Sequence, residues 1–268
     1  KAPVLLMAAG AGGGSPMLKR AHDFPQPRGC LLWPAHLGEA DLQLFIGVLD
    51  ILEPGVTGDG SVQRMLKQHF RAGVAVESML ARTLIDAWPA EDAESDALLP
   101  RLAFFARNWT SIMFQNRAFD QYLRNSLRLP ARDGSLRALS ELHLPLTMHT
   151  HAASDAEQQR VIMQHVEADA LSGGLILLHD KIVEALKADP SLGLVLGLSQ
   201  PPPSDVALAL MEAHGQMASG GGSCKVPRDR VISHVRYLTA NEQQLTRDAK
   251  DVIRQRLLLP LQPLRRPK

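Results

Sequence analysis

Histidine is the residue type that most invites a chemical reading, since the chain carries ten. His149 and His151 stand in the run HTH. Alternate residues of an extended strand share a face, so this pair has the spacing of two zinc or nickel ligands. No third ligand is placed by spacing, and the pair reads as two exposed histidines. His165, His179 and His214 are isolated and read as surface or capping residues. Ser111 and His69 supply a hydroxyl and an imidazole, but no G-x-S-x-G turn presents the serine as a nucleophile. The cysteines are Cys30 and Cys224, without a C-x-x-C, so they form no zinc knuckle or redox motif. Two distant cysteines read as free thiols of a reducing compartment. The run AAGAGGGS at 8–15 is Gly-rich but lacks the phosphate-loop spacing G-x-x-x-x-G-K-[ST], and reads as a flexible linker. Phe104, Phe105, Trp109 and Phe114 recur at helical spacing and read as core, not as a stacking platform for bases.

Charge narrows the functional classes. Lys and Arg total 29 against 28 Asp and Glu, a net charge of +1. That balance makes no large field for non-specific nucleic-acid binding. Arg254, Arg256, Arg265, Arg266 and Lys268 gather in one local basic patch at the C-terminal end. Apolar residues make up 45% of the chain, enough for a sizeable core, and no apolar run is long enough to span a membrane.

The elements that must position these residues follow from periodicity. Apolar residues recur at helical spacing from Glu39 to Leu52. The turn EPGVTGDG fills 53–60. A long helical pattern opens at Ser61 and ends before Trp88-Pro89, where proline disfavours helix. A second runs from about Ala97 to Leu127, after an acidic loop, so the two predict an antiparallel helical hairpin. Asp155–Leu171 reads as helix, broken at Ser172-Gly173. Gly174–His179 and Leu192–Leu198 read as strands, and Val226–His234 as a third. Ile182–Ala188 is either a short helix or a hairpin insertion, and a final helix spans about Ala240–Leu258. The expected class is α+β: a helical hairpin, then a small three-stranded antiparallel sheet flanked by helices. The expected divisions are an irregular extension at 1–38, a hairpin domain at 39–130, an α/β domain at 131–258, and a basic Pro-rich tail at 259–268.

The runs VLDILEP at 48–54, SVQRMLKQHF at 61–70, WTSIMFQN at 109–116 and RVISHVRYLTA at 230–240, taken in order, resemble the iron/manganese superoxide dismutases. The chain has VLDILEP at 48–54 and SVQRMLKQHF at 61–70, where the family reads Y-D-A-L-E-P and then H-H-x-K-H-H. Lys67 and His69 fall on the lysine and the last histidine. WTSIMFQN at 109–116 matches N-H-S-I-F-W-K-N at Ser111, Ile112 and Asn116. SGGLILL at 172–178 stands where the family has S-G-W-A-W-L, and LGLVLGLSQPP at 192–202 resembles its second strand. RVISHVRYLTA at 230–240 meets the signature D-V-W-E-H-A-Y-Y-x-x-Y at Val231, His234 and Tyr237. The resemblance covers roughly residues 48–255.

The departures matter more than the matches. The family holds one redox metal with three histidines and an aspartate. Here the corresponding positions carry Arg64 (or Met65, if one residue is inserted), Thr110, Arg230 and His234. Guanidinium stays protonated and has no lone pair to give a cation. One histidine of four cannot hold a redox metal, so the resemblance implies no metal, no cofactor and no catalysis. The family's active-site tyrosine falls on Ala72, and the Trp and Glu of its signature fall on Ile232 and Ser233. Arg64 and Arg230 are expected to pair with nearby acids or reach solvent rather than to bind an anion. Ligand-stripped relatives of these dismutases serve as structural subunits of the mitochondrial small ribosomal subunit, commonly as a pair of related chains. By that resemblance the chain is expected to be non-catalytic and to lie in the mitochondrial matrix. Its expected partners are ribosomal proteins, small-subunit rRNA and a related dismutase-like chain, with no membrane. The alternatives are a divergent dismutase using His69, His143 or His165, and an accessory subunit of another mitochondrial complex.

Overall fold

The computed structural model describes residues 4–6, 18–20, 30–46, 48–52, 54–70, 72–88, 95–149, 156–219 and 227–257. In chain order the elements are β1 (Val4–Leu6), β2 (Leu18–Arg20), β3 (Leu31–Leu32), α1 (Glu39–Gln43), α2 (Pro54–Thr57), α3 (Gly60–Phe70), β4 (Gly73–Val74), α4 (Glu77–Asp86), α5 (Ser95–Gln115), α6 (Phe119–Ser126), β5 (Arg128–Pro130), β6 (Leu136–Ala138), α7 (Ala156–Ser172), α8 (Asp180–Ala188), α9 (Pro190–Leu196), α10 (Pro203–Ser219), α11 (Arg228–Ala240) and α12 (Arg247–Arg256). The class is α+β and mostly helical, with pairs of strands and no three-stranded sheet among the described residues. The chain divides into two compact units. The first comprises 1–128, 138–140 and 184–196, and the second 129–137, 141–183 and 197–268.

The first unit departs from its expected helices wherever the backbone is needed for strand pairing. Residues 1–38 are not wholly irregular: β1 pairs antiparallel with β2, Val4 opposite Arg20. The run Glu39–Leu52 is helical only through α1. Its end is held extended, because Leu31 N–H donates to Asp50 O (2.8 Å) and Leu52 N–H to Leu31 O (2.9 Å). The long helix expected from Ser61 breaks between α3 and α4, where β4 pairs in parallel with β3. Gly73 sits in that break, and glycine in a helix interior is unfavourable by about 1 kcal/mol relative to alanine. The helix expected over 97–127 also divides, into α5 and α6. Asn116 causes it by accepting the Ala118 N–H on its side chain (3.2 Å), a local turn that competes with helix.

What remains of the hairpin is α4 against α5. The two run antiparallel: Ser78 N–H donates to Gln115 Oε1 (2.9 Å) at one end, and Arg101 Nη1 to Ala87 O (3.0 Å) at the other. A chain of aromatic contacts fills this unit. Trp33 meets Phe45 at 5.7 Å between ring centroids, Phe45 meets Phe104 at 5.4 Å, and Phe105 meets Phe119 at 6.3 Å. Phe104 and Phe105 are fully buried, as read from sequence. Phe114 is not core: it is 89% exposed. It follows Ile112 by two residues, which on a helix turns it to the far side.

The expected second strand, Leu192–Leu198, is the helix α9. Asp189 starts it by accepting both Ser191 N–H (3.0 Å) and Ser191 Oγ (2.5 Å), and Pro190 occupies the first helical position, where no donor is lost. Leu192, Val195 and Leu196 are buried while Leu194 lies open, which is helical and not alternating order. Ile182–Ala188 is helix too, within α8. His179 caps it: its Nδ1 accepts Lys181 N–H (3.3 Å) and its carbonyl takes Ile182 N–H (3.0 Å).

In the second unit, α7 packs against α10 and α11, and α12 packs against α10. The expected third strand falls on α11 over its described part. Val231, His234 and Leu238 are buried one turn apart, a helical stripe. The run 174–179 is extended but forms only single bridges, Leu178 with Ala131 and Leu177 with His143. The last helix starts later than Ala240. Thr246 caps α12 by accepting Ala249 N–H (3.3 Å). Val166, Ala170, Val206, Leu210, Met211 and Leu238 make the core between these helices.

Gly173 closes the crossing of α7 and α10. A Cβ built on it would stand 1.8 Å from the Ala209 carbonyl oxygen. The neighbour is helix backbone, which cannot turn aside as a side chain can. Gly173→Ala should therefore destabilise the second unit by about 1–3 kcal/mol or more, the usual range for overpacking. Chemical denaturation followed by far-UV circular dichroism measures it, and an unchanged midpoint would contradict the close approach.

Candidate functional site

The chemically distinctive part of the described structure is a row of four polar side chains inside the second unit. Arg230 and His234 lie one turn apart on α11, so both address α7. Asp169 meets them from α7, and His214 comes from α10. Arg230 Nη1 donates to Asp169 Oδ1 (2.8 Å). Asp169 Oδ2 stands 2.9 Å from His234 Nε2. His234 Nδ1 stands 2.9 Å from His214 Nε2. His214 and His234 are both 0% exposed and Asp169 is 2% exposed.

The proton positions follow from what each group can do. A carboxylate only accepts, so the His234 nitrogen facing Asp169 carries the hydrogen. The other ring nitrogen of His234 is then bare and accepts from His214 Nε2–H. The Asp169–His234 pair is close in distance but outside hydrogen-bond alignment, and neither atom has another hydrogen-bond partner. That contact is electrostatic. Burial pushes the His234 pKa down to about 4. Asp169 acts in the opposite direction, and His214 and Arg230 add to the depression. Burial lowers His214 as well, again opposed by Asp169. Both imidazoles are therefore neutral near pH 7, and the row holds one ion pair, Arg230 with Asp169.

The sequence-derived positions have separate fates. Arg230 and His234 come together around Asp169. Arg64 is exposed on α3 and Thr110 is exposed on α5. Arg230 pairs with an acid, one of the two fates expected of it, and Asp169 offsets its charge. Ser233, on the family's glutamate position, is buried; His165 Nδ1 meets its hydroxyl at 3.0 Å, and the hydroxyl donates back to Asp229 O (3.0 Å). A hydroxyl already donating to a carbonyl is not activated as a nucleophile. His214 is no surface residue. His143 is half-buried, and burial lowers its pKa. Of the other expected residues, Ser111 is exposed and Ala72 buried. The side chains of His69 and His149, together with His151, Cys224, the 8–15 run and the 259–268 tail, lie outside the described residues. Cys30 is buried, which raises its thiol pKa and keeps it protonated.

These residues do not fit the dismutase metal. His234 Nδ1 meets His214 Nε2, and His234 Nε2 faces Asp169 Oδ2 at 2.9 Å without a hydrogen bond. No three His, Cys, Asp or Glu side chains could hold a metal ion among the described residues. Asp169 escaped the sequence reading and His214 was read as a surface or capping residue, although each left a signal of its buried role. Asp169 sits between Val166 and Ala170 on the apolar stripe of α7, and His214 follows Leu210 by one turn on the apolar stripe of α10. Comparison of the chain with protein-family models, curated proteins and solved structures returns no match.

Two outcomes follow. A buried histidine with a lowered pKa takes up its proton more readily when unfolded, where its pKa is about 6.5. The neutral form of His234 therefore favours folding above about pH 6.5, and stability is lost as pH falls from there toward 4, by up to about 1.4 kcal/mol per pH unit, with His214 acting in the same direction. Urea midpoints between pH 7.5 and 4.5 test this, and a midpoint independent of pH would contradict it. Asp169→Ala leaves Arg230, whose side chain is 40% exposed, to water in place of its carboxylate, and should cost about 1–3 kcal/mol. Denaturation midpoints at pH 7.5 give the value.

Proposed function

We propose that the chain is a non-catalytic structural subunit of the mitochondrial small ribosomal subunit, acting in the matrix beside ribosomal proteins and rRNA. The proposal includes a partner chain of the same dismutase-like kind. The observation that carries its non-catalytic part is the closed row Arg230–Asp169–His234–His214. Its groups are turned on one another, with no exposed nucleophile, base or open ligand position among them. Such a row can hold three helices in register without reacting. The residue order that resembles the dismutases over 48–255 supports the ribosomal part.

The test uses the full chain in its native assembly. A tagged chain expressed in mitochondria should sediment with small-subunit rRNA. The purified protein should carry substoichiometric iron and manganese and leave superoxide decay at its uncatalysed rate. Stoichiometric redox metal with dismutation would replace this reading by a divergent dismutase. Co-sedimentation with another assembly, free of rRNA, would replace it by an accessory subunit.

A further inference from the structure

The second unit holds a cavity of about 360 Å³ apart from the polar row. Its walls include Leu171, Leu175 and Ile176 on one side, and Arg132, Asp133 and Arg137 on the other. The size lies within the range of small-molecule sites, about 300–1,000 Å³. Leucine and isoleucine suit an aliphatic body, and no aromatic ring lines the space for stacking.

The charged side is built on the turn between β5 and β6. Gly134 takes φ +81° there, a backbone that favours glycine. Arg132 is fixed in place: it pairs with the buried Glu167 carboxylate, and its Nε donates to Asp180 Oδ1 (2.8 Å). These acids neutralise it, so it shapes the wall more than it charges it. Arg137 is different. Its Nε donates to Ser135 Oγ (2.9 Å), and its nearest acid, Asp133, is 3.9 Å from Nη2. Asp133 is itself held by Ser135, whose N–H (2.9 Å) and Oγ (2.5 Å) both donate to it. The Arg137 fork therefore keeps donors for a ligand, beside an apolar wall.

We infer that this cavity binds a small organic anion with an aliphatic body, the anionic group on Arg137 and the body against Leu171, Leu175 and Ile176. This goes beyond the structural role, and the ribosomal assignment is not needed for it.

The test titrates the full-length, 15N-labelled chain with hexanoate, acetate and hexylammonium, reading amide shifts by NMR. Hexanoate should bind saturably, with shifts centred on 131–137 and 171–177. Acetate lacks the tail and should bind at least about tenfold more weakly, since each buried methylene contributes about 0.8 kcal/mol. Hexylammonium should not compete. Arg137→Gln should weaken hexanoate by about tenfold or more, as expected for a charge-assisted hydrogen bond. Arg124→Gln, at another exposed arginine, should leave it unchanged. The inference is overturned if hexanoate does not saturate, if its shifts fall elsewhere, if hexylammonium binds equally, or if Arg137→Gln binds like the parent. A chain that sediments with rRNA yet ignores hexanoate would sink this inference and leave the ribosomal reading standing.

Discussion

The second unit depends on the buried carboxylate of Asp169, which lies two residues beyond a second buried acid, Glu167, on α7. Asp169 is an acid on an apolar helical stripe, and a lone charge there would be strongly unfavourable. It is tolerated because Arg230 and His234 reach it from the next helix and His214 extends the row from a third. The arrangement works as a register key. Rotating α11 by one residue would separate Arg230 and His234 from Asp169 and leave buried polar groups without partners, whereas apolar contacts tolerate such slippage more easily. Apolar burial between α7, α10 and α11 supplies the drive to pack, and the polar row selects one packing.

The first unit solves the same problem with a different balance. Its core is aromatic, from Trp33 through Phe45, Phe104 and Phe105 to Phe119, and its polar groups sit at the edge. Glu77, buried at the start of α4, accepts from Gln115 Nε2 (2.6 Å) and meets His36 Nε2 at 2.7 Å. Burial tends to raise its pKa, but the hydrogen bonds from Gln115 and His36 prevail and hold it below the usual carboxylate value. Asp41, also buried, pairs with Arg107 of α5. Each buried acid thus ties a neighbouring segment to α5, so this helix organises the first unit much as α7 organises the second.

Dismutase chemistry needs several side chains pointing at one ion with a ligand position open. The row around His234 has the opposite property: the side chains point at one another. Arg230 brings its own positive charge, and Asp169 removes it again, so the site is electrically closed as well as geometrically closed. A residue placed like a ligand in a linear motif can instead bind helices together. Which role it takes depends on the partners that other helices deliver.

The helical character of α5 and α7 was legible in the chain, because long stretches repeat apolar residues every three or four positions, whereas α10 was not read as a helix. The fate of Phe104 and Phe105 as core was legible too, while His179 read only as a surface or capping residue. The short runs were not legible. LGLVLGL alternates leucines as a strand does, yet Asp189 and Pro190 cap it as a helix and α5 packs against it. Ala72–Val76 continues a helical period, yet its backbone is taken by Leu31 and Leu32 across forty residues of sequence. Asp169 and His214 acquired their roles only in three dimensions, because a buried charge is defined by its partners, and these come from helices that are distant in sequence.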